Sequence, residues 1–301
     1  MKILVIIVTY NAMKWIDRCL ESVKDSNVST DVFIIDNGSN DGTIDYIKKL
    51  NSNIILYESQ NNLGFGLANN IGLQYAYNKG YEYAYLLNQD AWVLPDTFQK
   101  LINAHQKQPE FGIISPMQLQ ANMEHLDVNF RSNIIRVYEN NDYFEDLIFN
   151  RSSIIRQVKF AMAAHWLLPI ETIKNVGLFS PAFPHYGEDA NYVDRAMYHG
   201  YKIGIVTDAL AVHDRESRVN SEEKRYYLDW YILTIYKISS LKERFSKINY
   251  YYSKNLLREV FLRGHFYPIK YTFKLLCNIK TILKYKEQSK EIGAFMKIQI
   301  K

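Results

Sequence analysis

The sequence predicts an α/β protein, a doubly wound and mostly parallel sheet with a helical C-terminal appendage. Three observations predict it. Short, continuous apolar runs alternate with helical stretches through the first half of the chain, the pattern of repeated β–α units. Polar residues and turn formers follow several of these runs at once, as they do at the ligand-binding edge of such a sheet. From about residue 221 the pattern turns helical, rich in aromatic residues and lysine.

The elements follow in order. Ile3–Val8 is a continuous apolar run, expected of a strand buried on both faces. Residues 15–23 read as a helix and Val32–Ile35 as a second buried strand. Asp36-Asn37-Gly38-Ser39-Asn40-Asp41-Gly42 is a dense turn signal. Residues 44–50 are helical, 54–57 a strand, 66–77 a helix and 83–87 a strand. Pro95 is placed for the first turn of a helix reaching His105. A strand over 112–118 leads into a polar excursion, 122–150, expected to lie near the site. Strand material returns over 157–168, a short helix covers 188–199 and a strand 202–206. No internal repeat or low-complexity linker interrupts the chain.

Composition bounds the function. With 301 residues and 48% hydrophobic content, the chain is long enough for one large domain with a core, alone or with an appendage. Cys19 and Cys277 give neither a disulfide framework nor a zinc spacing, which fits a reducing cytosol. The apolar run at residues 1–8 is too short for a signal peptide. Nowhere do roughly 18 apolar residues run uninterrupted, so no spanning helix is expected. Residues 225–301 carry 16 Lys and Arg against 5 Asp and Glu, whereas residues 1–224 carry 20 against 27. An acidic body with a basic tail suggests two tasks in one chain. The expected division is a catalytic domain over 1–220 and a basic helical region over 221–301.

The candidate site residues stand at strand ends. Thr9-Tyr10-Asn11 ends the first strand and Asp36 the second. Asp36 suits a hydrogen bond from a pyrimidine N3–H or a ribose hydroxyl, while an ordinary Asx turn explains the segment as well. Asn62-Leu63-Gly64-Phe65-Gly66, with Asn69, places main-chain N–H groups and a helix N-terminus where a phosphate can bind; helix capping is the competing explanation. Asn88-Gln89-Asp90 carries a carboxylate suited to a hard divalent cation, Mn²⁺ or Mg²⁺, on a diphosphate. Glu188 and Asp189 head a helix, where a base can take a proton from a hydroxyl or where acids simply meet the helix dipole. Arg195 is placed for an acidic partner or a phosphate. His213 ends an apolar run, and Trp166, beside His165, suits either a sugar face or the core.

Taken in order over roughly residues 1–215, these segments resemble the family 2 glycosyltransferases of the GT-A fold, most closely the bacterial rhamnosyltransferase-like branch that builds surface polysaccharides. The resemblance rests on Val8–Asn11, Asp36–Gly42, Asn62–Phe65 with Asn69-Asn70, Leu87–Asp90, Gly187–Asp189 with Arg195, and Ala211–His213. It implies inverting transfer from a nucleoside-diphosphate sugar, dTDP-rhamnose or a UDP-hexose, without a covalent intermediate. Asp189, beside Glu188, then matches the general base, Asp90 the metal-binding aspartate of the DxD-type motif, and His213 a further ligand. Thr9, Tyr10, Asn11, Asp36, Asn37, Asn62, Gly64, Asn69, Asn88 and Arg195 fall in donor-contacting segments, and His165 and Trp166 on the acceptor side. The chain departs from the family pattern at Asn88, in place of a first carboxylate, and at Asn191, in place of a second acid after Glu-Asp.

The alternatives are a sugar-nucleotidyltransferase and a degenerate glycan-binding subunit. The expected acceptor is a glycan or a lipid-linked oligosaccharide. The basic tail fits either the inner-membrane surface, with the enzyme cytoplasmic and peripheral, or a homodimer contact. No motif supports nucleic-acid binding.

Overall fold

The computed structural model describes residues 2–50, 54–135, 148–149, 154–215, 221–241 and 266–296. Part of the polar excursion, and residues 242–265 of the region expected to be helical, lie outside the described residues. The element order is β1 (Ile3–Thr9), α1 (Ile16–Lys24), β2 (Asp31–Asp36), α2 (Thr43–Lys49), β3 (Ile54–Glu58), α3 (Phe65–Asn78), β4 (Tyr83–Asn88) and β5 (Ala91–Val93). Next come α4 (Thr97–Lys107), β6 (Phe111–Leu119), α5 (Val128–Ile135), β7 (Ile155–Gln157), β8 (His165–Pro169), α6 (Ile170–Val176), α7 (Glu188–Tyr198) and β9 (Lys202–His213). The C-terminal region holds α8 (Glu222–Tyr226), a π-helical segment (Tyr227–Ile232), α9 (Leu233–Ser239) and α10 (Tyr267–Gln288).

The strands form one mixed, mostly parallel sheet in the order β3-β2-β1-β4-β8-β6-β9-β5, with β7 beside β9. The first four strands are mutually parallel. β8 enters antiparallel between β4 and β6, and β6 runs parallel to β9. Alternate side chains of each strand point to opposite faces, so the continuous apolar runs feed two cores. Leu4, Ile6, Phe33, Ile35, Ala84 and Leu86 meet α3, α6 and α7 on one face. Ile3, Val5, Ile7, Ile34, Tyr85 and Leu87 meet α1, α2 and α4 on the other. This is the α/β/α sandwich that the sequence predicts.

Three elements depart from the sequence-level outline. The stretch 157–168 is two strand pieces, β7 and β8, joined by irregular chain. β5 is a three-residue strand after Asp90, paired antiparallel with the end of β9 (Ala91↔His213). β9 runs well past residue 206, bridging a register shift to reach His213. The last two strands together bring residues 90 and 213 side by side.

The C-terminal helices form a third core around the loop before α7. Tyr226, Tyr231, Ile232, Ile235, Tyr271, Leu275 and Ile282 close over Ala182 and Phe183. The chain then returns to the sheet: Ala294 and Phe295 are buried in the core on the α3 face. No helix among the described residues is long and apolar enough to cross a membrane.

Candidate active site

The site lies along the C-terminal edge of β1, β2 and β4, closed on one side by the β5–β9 pair and on the other by the head of α7. Asp36 organises its first corner. Its carboxylate, fully buried, accepts bonds from Thr9 Oγ1 (2.7 Å), from the N–H groups of Gly38 (3.0 Å) and Ser39 (2.8 Å), and from Ser39 Oγ (2.6 Å). A carboxylate has about four lone-pair positions, and all are occupied here. Asp36 therefore fixes the β2–α2 turn, with Thr9 locked behind it. Ser39 Oγ in turn accepts from Asn11 N–H (2.8 Å). Asn11 holds a left-handed conformation (φ 53°), and its side chain accepts from Asn40 N–H (2.9 Å). Tyr10, between them, is half exposed. Its main chain is clasped by Gln89, through Tyr10 N–H to Oε1 (2.7 Å) and Nε2 to Tyr10 O (3.2 Å).

Asn37 joins this corner to the next. Its amide reaches Gly64 O (3.4 Å) and accepts from Leu63 N–H (3.4 Å). Asn62 accepts from Gly64 N–H (2.9 Å), an Asx turn that starts α3. Gly64 has φ +79°, and a Cβ there would overlap the carbonyl of Pro184. The N-terminus of α3 and the loop entering α7 thus touch only because residue 64 lacks a side chain. Asn69 is buried one turn inside α3 and donates to Phe65 O (2.9 Å).

Asp90 and His213 form the third corner. His213 Nε2 lies 3.4 Å from Asp90 Oδ1. The imidazole is buried and its Nδ1 has no hydrogen-bond partner. An imidazole beside a carboxylate, with a buried ring nitrogen left unsatisfied, fits a divalent-cation site. No cluster of three His, Cys, Asp or Glu occurs among the described residues. A cation here would take its remaining ligands from the diphosphate and water, as hard cations with few protein carboxylates do.

The head of α7 supplies the acids. Tyr186 (φ 70°) and Gly187 (φ 82°) turn the chain sharply into Glu188. Asp189 accepts from the N–H groups of Ala190 (2.7 Å) and Ala163. Ala163 precedes Ala164, whose carbonyl receives Asn88 N–H (3.1 Å). Asp189 is thus tied through adjacent residues to the strand end that carries Asp90. Burial raises the Asp189 pKa, while those N–H groups and the nearby Arg215 charge pull it back. Burial, and then the Asp189 charge, push Glu188 up to about 8. Its Oε2 is buried without a partner. The folded chain thus holds a proton on Glu188 between its ordinary 4.5 and about 8 that the unfolded chain releases. Stability falls as pH rises through that window. At about 1.4 kcal/mol per pKa unit, the penalty above pH 8 is on the order of 5 kcal/mol at most. Glu188→Gln removes it. Thermal melts should show no gain for this variant near pH 4.5 and its full gain above pH 8; a gain independent of pH would refute the assignment.

Sequence reasoning missed the Arg215–Asp127 pair. Arg215 Nε lies 3.3 Å from the buried Asp127, which caps the first turn of α5 by accepting Phe130 N–H (2.8 Å). Arg215 also bonds Met162 Sδ (3.5 Å) and acts on Asp189. The signal was present but faint: a basic residue two places past His213, and an acid just before an apolar Val128. A groove of about 400 Å³ also opens between α7 and the C-terminal helices, lined by Gly187, Ala190, Val193, Leu228, Ile232 and Tyr236 among others, with Asp189 outside its lining.

Three expected contacts move elsewhere. Arg195 is fully buried on α7, its guanidinium bonded to the carbonyls of Leu178 (2.5 Å) and Val176 and lying over Phe295. Those carbonyls close the C-terminal end of α6, so Arg195 is a helix-end brace and leaves the donor-contacting set. Burial lowers its pKa to about 10. Arg195→Met should cost about 2–4 kcal/mol of stability, read as a lower unfolding midpoint, with nucleotide affinity unchanged. Trp166 is fully buried in β8 and stacks on Phe179 (6.2 Å between centroids), its indole N–H donating to Ala161 O (3.2 Å). His165, also fully buried, lies between Tyr85 Oη (2.9 Å) and Val212 O (3.0 Å). Burial drops its pKa to about 3. Both belong to the core because β8 is an interior strand, and neither reaches an acceptor.

The fold recurs in solved glycosyltransferases. Staphylococcus aureus TarS (residues 1–349, in complex with UDP-GlcNAc) superposes with a TM-score of 0.58 at 16% identity, covering 96% of this chain and 81% of that one. The chain spans 44% of a longer TarS structure. GalNAc-T7 with UDP, GalNAc and Mn²⁺ superposes at 0.57 with 13% identity, covering 100% of this chain and 56% of that one. The mannosyltransferase PcManGT from Pyrobaculum calidifontis, in complex with GDP-Man and Mn²⁺, does so at 0.55 with 15% identity, covering 96% and 73%. At these identities the likeness speaks for the fold. A search of curated proteins by sequence finds no match. The family model described as Glycosyl transferase family 2 matches residues 4–162, from β1 to the approach to β8, so that Asp189 and His213 lie beyond it and rest on geometry. More than half the chain is matched, and the chain belongs to glycosyl transferase family 2 and is a glycosyltransferase.

Proposed function

We propose that this enzyme transfers a sugar, with inversion, from a nucleoside-diphosphate donor to a hydroxyl of a bacterial surface-polysaccharide acceptor. We take dTDP-rhamnose or a UDP-hexose as the donor and a glycan or lipid-linked oligosaccharide as the acceptor. The observation that carries this reading is that Asp90, in the turn before β5, lies beside His213 at the end of the paired strand β9, with Asp189 linked to the same edge through Ala163 and Ala164. Residues 1–220 are assigned the chemistry and the helices after 220 the shaping of the acceptor side.

Each corner then has a task. The turn fixed by Asp36 and Thr9 presents Tyr10, Asn11 and Asn37 to the nucleotide. Gly64 and the first turn of α3 offer main-chain N–H groups to phosphate. Asn88 orients the donor, with Asn62 and Asn69 holding the α3 end of the site in shape. Asp90 and His213 would hold Mn²⁺ or Mg²⁺, which supplies neutralisation of the charge that develops on the departing diphosphate. Asp189 accepts the acceptor hydroxyl's proton as that oxygen bonds to the anomeric carbon and the bond to the phosphate oxygen breaks. Arg215, held by Asp127, favours the charged form of Asp189, and Glu188, largely protonated at neutral pH, keeps a second negative charge away from it.

The test is donor turnover. The chain with Mn²⁺ should release UDP or dTDP from one member of a panel of UDP- and dTDP-sugars. Failure to bind or turn over any of them would remove this reading. Pyrophosphate release from UTP or dTTP would point to a nucleotidyltransferase, and metal-independent glycan binding without turnover to a degenerate subunit.

A further inference from the structure

Helix α10 carries two apolar faces. One is used: Tyr271, Leu275 and Ile282 are buried in the C-terminal core. The other is bare. Phe266, which caps the helix, and Ile269, Phe273 and Leu276 follow at intervals of three, four and three, one side of a helix over about three turns. They are 76, 47, 70 and 61% exposed. Single exposed apolar residues are ordinary, but a contiguous set marks a contact surface.

The charges around this stripe select its partner. No Asp or Glu occurs from residue 267 to 286, while Lys270, Lys274, Lys280, Lys284 and Lys286 do. Lys270 is paired with Glu223, and Lys274 lies over the Tyr231 ring. Lys280 and Lys284, exposed one and two turns beyond Leu276, make no ion pair among the described residues. A second copy of the chain would set Lys274, Lys280 and Lys284 against the same lysines in either helix orientation, a like-charge contact on a helix whose one acid, Glu287, is already paired with Lys290. An anionic lipid surface answers both features, since its headgroups meet the lysines and its acyl boundary takes the phenylalanines.

We propose that the outward face of α10, from Phe266 to Lys284, lies on an anionic membrane surface. This deepens the proposed function, resting on it only for the purpose of meeting a lipid-linked acceptor. Binding itself needs no donor, so its failure and that of the transferase reading are separately visible. The experiment is vesicle flotation of the full chain with pure phosphatidylcholine and with phosphatidylglycerol-containing vesicles, alongside light scattering of the free protein. At least about tenfold more protein should float with the anionic vesicles, and the excess should fall with added salt. Phe266→Asp with Phe273→Asp should abolish flotation, and Lys280→Glu with Lys284→Glu should reduce it to the phosphatidylcholine level. Both pairs are exposed, so an unchanged unfolding midpoint confirms that the fold is intact. No flotation, or equal flotation with both lipids, overturns the proposal. A dimer of the free chain that the phenylalanine pair dissociates also overturns it and gives the face to a second copy.

Discussion

Asp189→Asn lowers kcat by about 10²–10⁴-fold, the usual contribution of a positioned base, while UDP or dTDP binds as it does to the unaltered enzyme. The substitution preserves the shape of the side chain and an acceptor oxygen for the N–H of Ala190, so the head of α7 keeps its form. What is lost is the ability to take a proton. The unaltered enzyme should also lose kcat as pH falls through the raised pKa of Asp189, because the base works only when deprotonated. The asparagine variant, with little base left, should show no such limb. Turnover of the variant within a few-fold of the original would take Asp189 out of the base role and leave Glu188 as the candidate. Glu188→Gln distinguishes the two, since it should retain the acidic limb that Asp189 sets.

The second large effect is expected at the β5–β9 pair. His213→Ala and Asp90→Ala should each cut turnover at limiting Mn²⁺ by about 10–100-fold or more, the scale seen when support for a bound metal is removed. The two losses should not add, the result expected of two side chains proposed to serve one ion. Excess Mn²⁺ should restore part of the activity of His213→Ala. Asp90→Ala should be the harder to rescue, since it removes the charged oxygen ligand that a hard cation prefers. Additive losses, or activity insensitive to chelator in the unaltered enzyme, would separate these residues from any metal function.

Much of this site is legible in the amino-acid sequence because strand ends in a doubly wound sheet must converge on one edge. Ile3–Val8 and Val32–Ile35 are apolar on both sides, so they had to be interior parallel strands. Thr9 and Asp36 then had to meet, and they do so as register partners. Residues 90 and 213 were harder to join from sequence. Their meeting depends on β5, three residues long, and on a register shift in β9, neither of which leaves a periodic signal. The misplacements have one physical source. Arg195, His165 and Trp166 carry chemistry that suits a ligand, and motif position gave them that role. Their surroundings in sequence, Ala163–Pro169 and Tyr192–Ala196, are apolar enough to be core. A buried polar group must be satisfied, and here main-chain carbonyls do most of that work. Asp36 shows a milder form of the same effect. Its residue type suits a nucleotide contact, yet Thr9, Gly38 and Ser39 already take up its carboxylate, so it acts by shaping the turn.

In the proposed function, Asp90 and His213 hold a divalent cation against the donor's diphosphate at the edge that carries Asp189. Calorimetry of UDP and dTDP binding, with Mn²⁺ and with chelator, tests it most directly. At least one nucleotide should bind about tenfold or more tighter with Mn²⁺, and His213→Ala should abolish that difference while leaving the metal-free affinity in place. Equal affinity with and without the metal, or a metal effect that survives the loss of both side chains, would contradict it.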